Sequence, residues 1–354
     1  METTYDGALG TTINVYPSGA NVTVGFDSTV VLIGPMDSSN GSANVGEAVL
    51  LADQDEADTQ FGDGSGLASA YAAASANGAG EVYGVGVDTS AADPDWTGAA
   101  KEAMGVDPRY VYVDSTEETP VTEVHGVVTD YATDLNFARV FAPIAESVAA
   151  GDETTYTARA NDQRLVEVAP QSATVDGAST YTAAAVVGHA ARQPLGSSIS
   201  NDEITVDSLG TEYRASGASG FENVTAVTKD AVIVSGATTS DTDAFSDIFQ
   251  VEIVDTVALG LDEVAQTYAG EAPNTQDEAN NLESDMRTFL GSLTDQRPPL
   301  LADVSGDTPY FVTATPEPDG QTTVDVGVSP LDVMEDITIN LNVGRTVTFD
   351  GVEA

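Results

Sequence analysis

Few residues in this sequence are equipped for chemistry, and their spacing assigns them none. The two histidines, His125 and His189, each fall in a helix-patterned segment with no second histidine at metal-ligand spacing. Packing or surface exposure accounts for each better than ligation does. Gly62-Asp-Gly-Ser-Gly66 stands directly before another helix-patterned stretch, where backbone N–H groups can cradle a phosphate. Asp63 would repel one, so the glycines read more simply as a helix entry. Neither lysine, Lys101 or Lys229, follows a glycine, which excludes a phosphate-binding loop of the Gly-Lys type. Gly84-Val-Gly86 lies inside a strand pattern and lacks a third glycine. The acidic run from Asp53 to Asp58 invites a calcium reading, but Ala57 and Asp58 stand where an EF-hand loop needs an acid and a glycine. It reads as a solvated helix start. There is no Gly-x-Ser-x-Gly elbow, and no cysteine for disulfides or thiolate ligands. Carboxylates are so numerous that no single pair marks an acid–base couple. We therefore assign no catalytic, metal or cofactor-binding residue, and expect no cofactor and no enzyme activity.

The elements that would have positioned such residues are clearer. Near the start, Ile13 and Val15 alternate with polar neighbours, Pro17-Ser-Gly19 predicts a turn, and Val22, Val24 and Phe26 alternate again. That is strand periodicity without an adjacent helix. From residue 29 short apolar strands alternate with helices. The strands are Thr29 to Gly34, Val82 to Val87, Tyr110 to Val113, Ala138 to Ala142 and Leu165 to Val168. The helices run from Ser65, as N-cap, to Asn77-Gly78, from Trp96 to Met104, from Thr119-Pro120 to Leu135, and from Tyr181 to Arg192. This order predicts an α/β core: a mainly parallel sheet with helices on both faces. Leu32, Val85 and Val111 are expected in its central strands.

The last third predicts an α+β arrangement. Val251 to Val254 reads as a strand. Val257, Leu261, Val264 and Tyr268 give a helix ended by Gly270, and Thr275-Gln-Asp-Glu278 forms a capping box for a second helix with Ala279, Leu282, Met286 and Phe289 on one face. Val324, Val326 and Val328 alternate, as do Ile337, Ile339, Leu341 and Val343, and Val347 with Phe349 completes a hairpin across Gly344. The expected division is an extended arm over 1–25, an α/β domain over 26–240 and a C-terminal α+β domain over 241–354 ending in a donor hairpin. Residues 150–220 are loosely assigned within this plan and leave room for a β-rich insertion.

Composition narrows the function class. The 354 residues carry 57 Asp and Glu against 11 Lys and Arg, a formal charge of -46, with 41% hydrophobic content. A disordered acidic chain would lack the apolar pattern, and a nucleic-acid binder would need a basic surface. Adaptation to concentrated salt fits both the charge and the scarcity of lysine. Met1 to Asp6 is acidic and polar, without the basic and apolar regions of a secretory leader. No apolar run approaches the length of a membrane span. A protein made soluble in the cytoplasm, with neither nucleic acid nor membrane insertion, is the expectation.

The order of segments resembles the contractile tail sheath family of myovirus-like tails and related injection systems. Val30 to Pro35, followed by Phe61 to Leu67 and Ala76 to Tyr83, is similar to the family's opening strand, its Phe-Gly step into a helix and its next strand. Ala183 to Arg192 resembles its small-residue helix. Phe221 to Val224 with Val232 to Thr239 resembles its asparagine step and a following strand in which Ser235 and Thr238 stand in place of tryptophan and arginine. The helix from Thr275 and the strands ending at Val343 are similar to its C-terminal domain. The resemblance implies a structural subunit stacked in hexameric rings around a tail tube. It would contract to drive the tube through a cell envelope, with tube, baseplate and terminator proteins as partners, in the tail of a haloarchaeal virus or a device of its host. It also implies that terminal arms add strands to neighbouring subunits. Ile13, Val15, Val22, Val24, Ile337, Ile339, Leu341, Val343, Val347 and Phe349 are the residues expected to make those links. A halophilic α/β enzyme, with nucleotide use as one option, and a surface-layer protein are the competing classes.

Overall fold

A computed structural model describes residues 3–6, 12–16, 28–144, 159–211, 223–242, 245–297, 299–302 and 308–331. Two short strands come first, β1 (Thr3–Asp6) and β2 (Thr12–Tyr16). The core then alternates as the apolar pattern predicts: β3 (Thr29–Pro35), β4 (Ala48–Leu51), α1 (Gln54–Phe61), α2 (Gly66–Ala76), β5 (Glu81–Val87), α3 (Trp96–Met104), β6 (Tyr110–Val113), α4 (Glu118–Thr133), β7 (Arg139–Pro143), β8 (Leu165–Ala169), β9 (Ser172–Val175), β10 (Ala178–Tyr181), α5 (Thr182–Arg192), β11 (Ser208–Leu209) and β12 (Thr225–Ala226). Two long helices, α6 (Ile248–Gln266) and α7 (Gln276–Thr294), lead to β13 (Tyr310–Pro316) and β14 (Thr322–Val328).

Seven strands form one sheet in the order β12-β8-β7-β6-β3-β5-β4, parallel except for β4, which lies antiparallel on β5. Near-continuous apolar strands are what burial on both faces requires. On one face Leu32, Tyr112, Phe141 and Val166 pack against α2 and α5. On the other, Val31, Val85, Val111 and Val140 pack against α3 and α4. Leu32, Val85 and Val111 are fully buried in adjacent strands, as expected. The small residues of α5 let it approach α2 closely: a Cβ on Gly188 would come within 2.2 Å of the Ala74 carbonyl oxygen. Side chains cap the helices at the predicted places. Ser65 accepts from the Ala68 N–H, Asp53 from Glu56 and Thr275 from Glu278.

Two sequence readings are overturned. Val251 to Val254 is the interior of α6 rather than a strand, because an apolar run of four residues satisfies either period and only the longer register to Gln266 decides. The stretch from Val232 to Thr239, expected as a strand, makes isolated bridges only; β12 at Thr225–Ala226 is the sheet's edge strand instead. Three further strands, β9 to β11, which fall between β8 and β12 in the sequence, form a small antiparallel sheet of their own. The second large cluster lies outside the main sheet, where Phe249, Val257 and Leu261 of α6 and Met286, Leu290 and Leu293 of α7 pack under Val312, Val326 and Val328.

Candidate assembly site

The terminal strands meet in a sheet of their own, in the order β1-β2-β14-β13. β2 runs parallel to β14, with Asn14 opposite Asp325, Val15 opposite Val326 and Tyr16 opposite Gly327. It also pairs antiparallel with β1, Ile13 opposite Tyr5. Val15 is therefore paired with β14 in the same chain, while Ile13 is paired with β1 only. Val22, Val24, Ile337, Ile339, Leu341, Val343, Val347 and Phe349 lie outside the described residues. One face of β13 and β14 is buried on the two long helices and the opposite face, with Phe311 47% exposed, is open.

Beneath that sheet, α6 is tied to the core by a charge network. Arg109 immediately precedes β6, Arg139 begins β7 and Arg164 immediately precedes β8, so parallel pairing brings three guanidinium groups to the amino ends of adjacent strands. Glu252 and Asp255, three residues apart on α6, face them. Arg109 grips Glu252 with two bonds, Nε to Oε1 at 3.0 Å and Nη2 to Oε2 at 2.8 Å, and donates to the Gln193 carbonyl at 2.9 Å. Arg164 grips Asp255 the same way, at 3.0 and 2.7 Å. Arg139 lies between them, bonded to Asp255 and 3.8 Å from Glu252, whose carboxylate also accepts from the Tyr110 hydroxyl. All five charged residues are buried. Burial raises the Glu252 carboxyl, but Arg109 and Arg139 beside it prevail and hold it below the usual range. A fourth arginine, Arg159, pairs with buried Glu167 at 3.1 Å. Sequence reading missed this network. Its one signal was an arginine at the start of three successive parallel strands in a chain with eleven cations.

The place where an open α/β sheet usually takes a ligand, the carboxyl ends of strands at the point where their order reverses, falls here between β3 and β6. It is filled from within. Asp114, one residue past β6, accepts a hydrogen bond from the Tyr112 hydroxyl at 2.7 Å. A Cβ on Gly34 would come within 2.4 Å of its Cβ, and one on Gly66 within 2.0 Å of its Oδ2. The carboxyl group thus stands against the N-terminal residue of α2, the position the glycine-rich entry offered to a phosphate. Among the described residues, no group of three or more His, Asp or Glu side chains is placed to hold a metal ion. The two histidines are paired with carboxylates, His125 with Asp162 at 3.2 Å and His189 with Asp202 at 2.9 Å.

Burial pushes the Asp114 carboxyl up to about 6, with the Tyr112 bond opposing. An acid whose folded value is raised destabilises the fold increasingly as pH rises from the unfolded value of 3.8 and fully above the folded one, because the unfolded chain ionises first. At pH 7 the cost is about 3 kcal/mol. The Asp114→Asn variant, which cannot ionise, is expected to melt above the wild type at pH 7. The gap should shrink as pH falls through 6 and close near pH 4. A gap that is the same at pH 4 and pH 7 would contradict the assignment.

No family model and no curated protein matches the sequence. Solved structures match its fold. The chain superposes on a chain of the anti-feeding prophage baseplate with a TM-score of 0.69 at 14% identity, covering 93% of this chain and 96% of that one. For the contracted sheath complex of the PVC extracellular contractile injection system the TM-score is 0.67 at 14% identity, covering 96% and 98%. For the crystal structure of a sheath tail protein from Desulfitobacterium hafniense it is 0.57 at 12% identity, covering 87% and 97%. The fold, a mixed sheet of mostly parallel strands with its helices, is shared with these chains. Among the described residues no helix is long and apolar enough to cross a membrane.

Proposed function

We propose that this protein is the sheath subunit of a contractile tail or injection device working in concentrated salt. It would stack in hexameric rings around a tail tube and contract to drive that tube through a cell envelope. The observation that carries the reading is the span of the fold match, which covers 96% of this chain and 98% of the other. The filled crevice at Asp114 weighs against the nucleotide-using enzyme.

The mechanism follows from the strand edges. Within one chain β2 occupies β14. A neighbour's β2 offers the same backbone donors and acceptors, so exchanging one for the other replaces each ladder bond with an equivalent one. The exchange is then nearly neutral per bond, and the assembled state gains from many links acting together. Such links would tolerate rotation of the cores during contraction, because backbone pairing in the arms does not depend on the orientation of the main sheet. The buried arginine network would keep α6 and the main sheet turning as one body. Tube, baseplate and terminator proteins would be its partners, and assembly in the host cytoplasm would place it in the tail of the particle.

Size-exclusion chromatography and negative-stain microscopy in molar salt test this. Long hollow tubes are expected; a small discrete oligomer favours the enzyme and a flat lattice a surface-layer protein. Deleting residues 1–24 should leave a folded, soluble subunit that no longer forms tubes. A truncated protein that polymerises normally, or one that unfolds outright, contradicts the role given to the arm.

A further inference from the structure

Strand exchange on one edge of a sheet raises the question of the other edge. Among the described residues β13 is the outer strand opposite β1. Its ladder to β14 is bracketed by Glu317 N–H to the Gln321 carbonyl and Ser329 N–H to the Pro309 carbonyl. Odd-numbered residues of β13 therefore bond to β14, and the backbone groups of Tyr310, Val312, Ala314 and Pro316 point outward. Unpaired groups of this kind recruit other strands.

Two of those outward groups are taken by side chains of α7. Arg287 Nη2 donates to the Val312 carbonyl at 2.5 Å, and the Ala314 N–H donates to Glu283 Oε2 at 3.2 Å. Glu283 and Arg287 are one helical turn apart and bonded to each other, Nε to Oε1 at 3.0 Å. Together they present one donor and one acceptor to alternate residues of β13, half of what an adjacent strand would present there. The next outward position is Pro316, which has no N–H to offer. Of three successive outward positions, Val312 and Ala314 each have one backbone group bonded to a side chain, and Pro316 has no N–H to give to an incoming strand.

We infer that Glu283, Arg287 and Pro316 close the β13 edge of this sheet against a strand from a second copy of the chain. Closure of β13 does not rest on the strand exchange proposed above. The pair is suited to the task because it is cheap to replace in the fold: Arg287 and Glu283 side chains are 46% and 27% exposed, and α7 is held by its apolar face.

The test uses the full chain in molar salt and compares wild type with E283A/R287A and with P316V. Each variant should associate through β-rich, thioflavin-binding, irregular contacts, read by light scattering and microscopy. The onset concentration for the double variant should be about tenfold lower, equivalent to about 1.4 kcal/mol. Amide exchange at Ala314 should accelerate in the unassociated double variant, and E283Q, whose amide oxygen still accepts, should behave as wild type. Unchanged association and unchanged exchange at Ala314 in variants with native circular dichroism would overturn the inference. Should the double variant unfold, P316V and E283Q decide it, since neither removes a contact of α7 with the core. Extra association in the variants when wild type forms no tubes would sink the sheath reading and leave the edge closure standing.

Discussion

Asp255→Ala is expected to destabilise the fold by about 3–5 kcal/mol, the scale observed when one partner of a buried ion pair is removed. Asp255 has no solvent exposure and accepts from both Arg139 and Arg164, which are themselves buried. Without it two guanidinium groups remain in the interior short of their shared carboxylate, and water cannot easily replace it. Urea denaturation in molar potassium chloride, followed by circular dichroism, measures the loss. The exposed pair Lys229–Asp230, with side chains 45% and 70% accessible, is the control. Asp230→Ala should change stability by no more than about 0.5 kcal/mol. Replacing the network with apolar side chains of similar volume should cost far less than removing one member, because no unpaired charge is left. Equal midpoints for Asp255→Ala and wild type would show that α6 is held by its apolar contacts alone.

Dilution of salt is expected to have an effect of at least that size. The chain carries a charge of -46, and four of its eleven cations, Arg109, Arg139, Arg159 and Arg164, are committed to internal pairs. Only seven remain to offset acids elsewhere. At about 1 M salt the Debye length is about 3 Å, and at about 0.01 M it is about 30 Å. Repulsion among surface carboxylates is therefore local in the first case and spans the subunit in the second. Helical circular dichroism and the sedimentation coefficient should fall as salt drops below about 0.5 M, and further as it approaches 0.01 M. The internal pairs are little screened at any salt concentration, so they should not rescue the dilute state or weaken in the concentrated one. Identical spectra and sedimentation in dilute buffer would show that the acidic surface is no adaptation to salt.

Local chemistry in the sequence determined a good deal of this protein. Continuous apolar runs such as Val30 to Ile33 and Tyr110 to Val113 can be stable only where both faces are covered, which fixes a parallel sheet under helices. Ser65, Asp53 and Thr275 mark helix starts because each side chain meets a backbone N–H within its own turn. Even the terminal strands at Ile13 and Val15 and at Val324 to Val328 are visible from alternation. Features that depend on contacts between distant residues were not legible. Val251 to Val254 satisfies both periods, and only the longer register of α6 to Gln266 decides for helix. The strand Ala48–Leu51 is too short to outweigh its polar flanks, and its pairing with β5 creates it. Arg109, Arg139 and Arg164 look unrelated until the pairing of β6, β7 and β8 puts them side by side. Asp114 looks like any other acid among 57 until the close approach of Gly34 and Gly66 dries its surroundings. Alternation shows that a segment can be a strand, because the side-chain period is local. Which edge it joins, and which edge Glu283 and Arg287 close, is set by hydrogen bonds to partners that only the tertiary structure supplies.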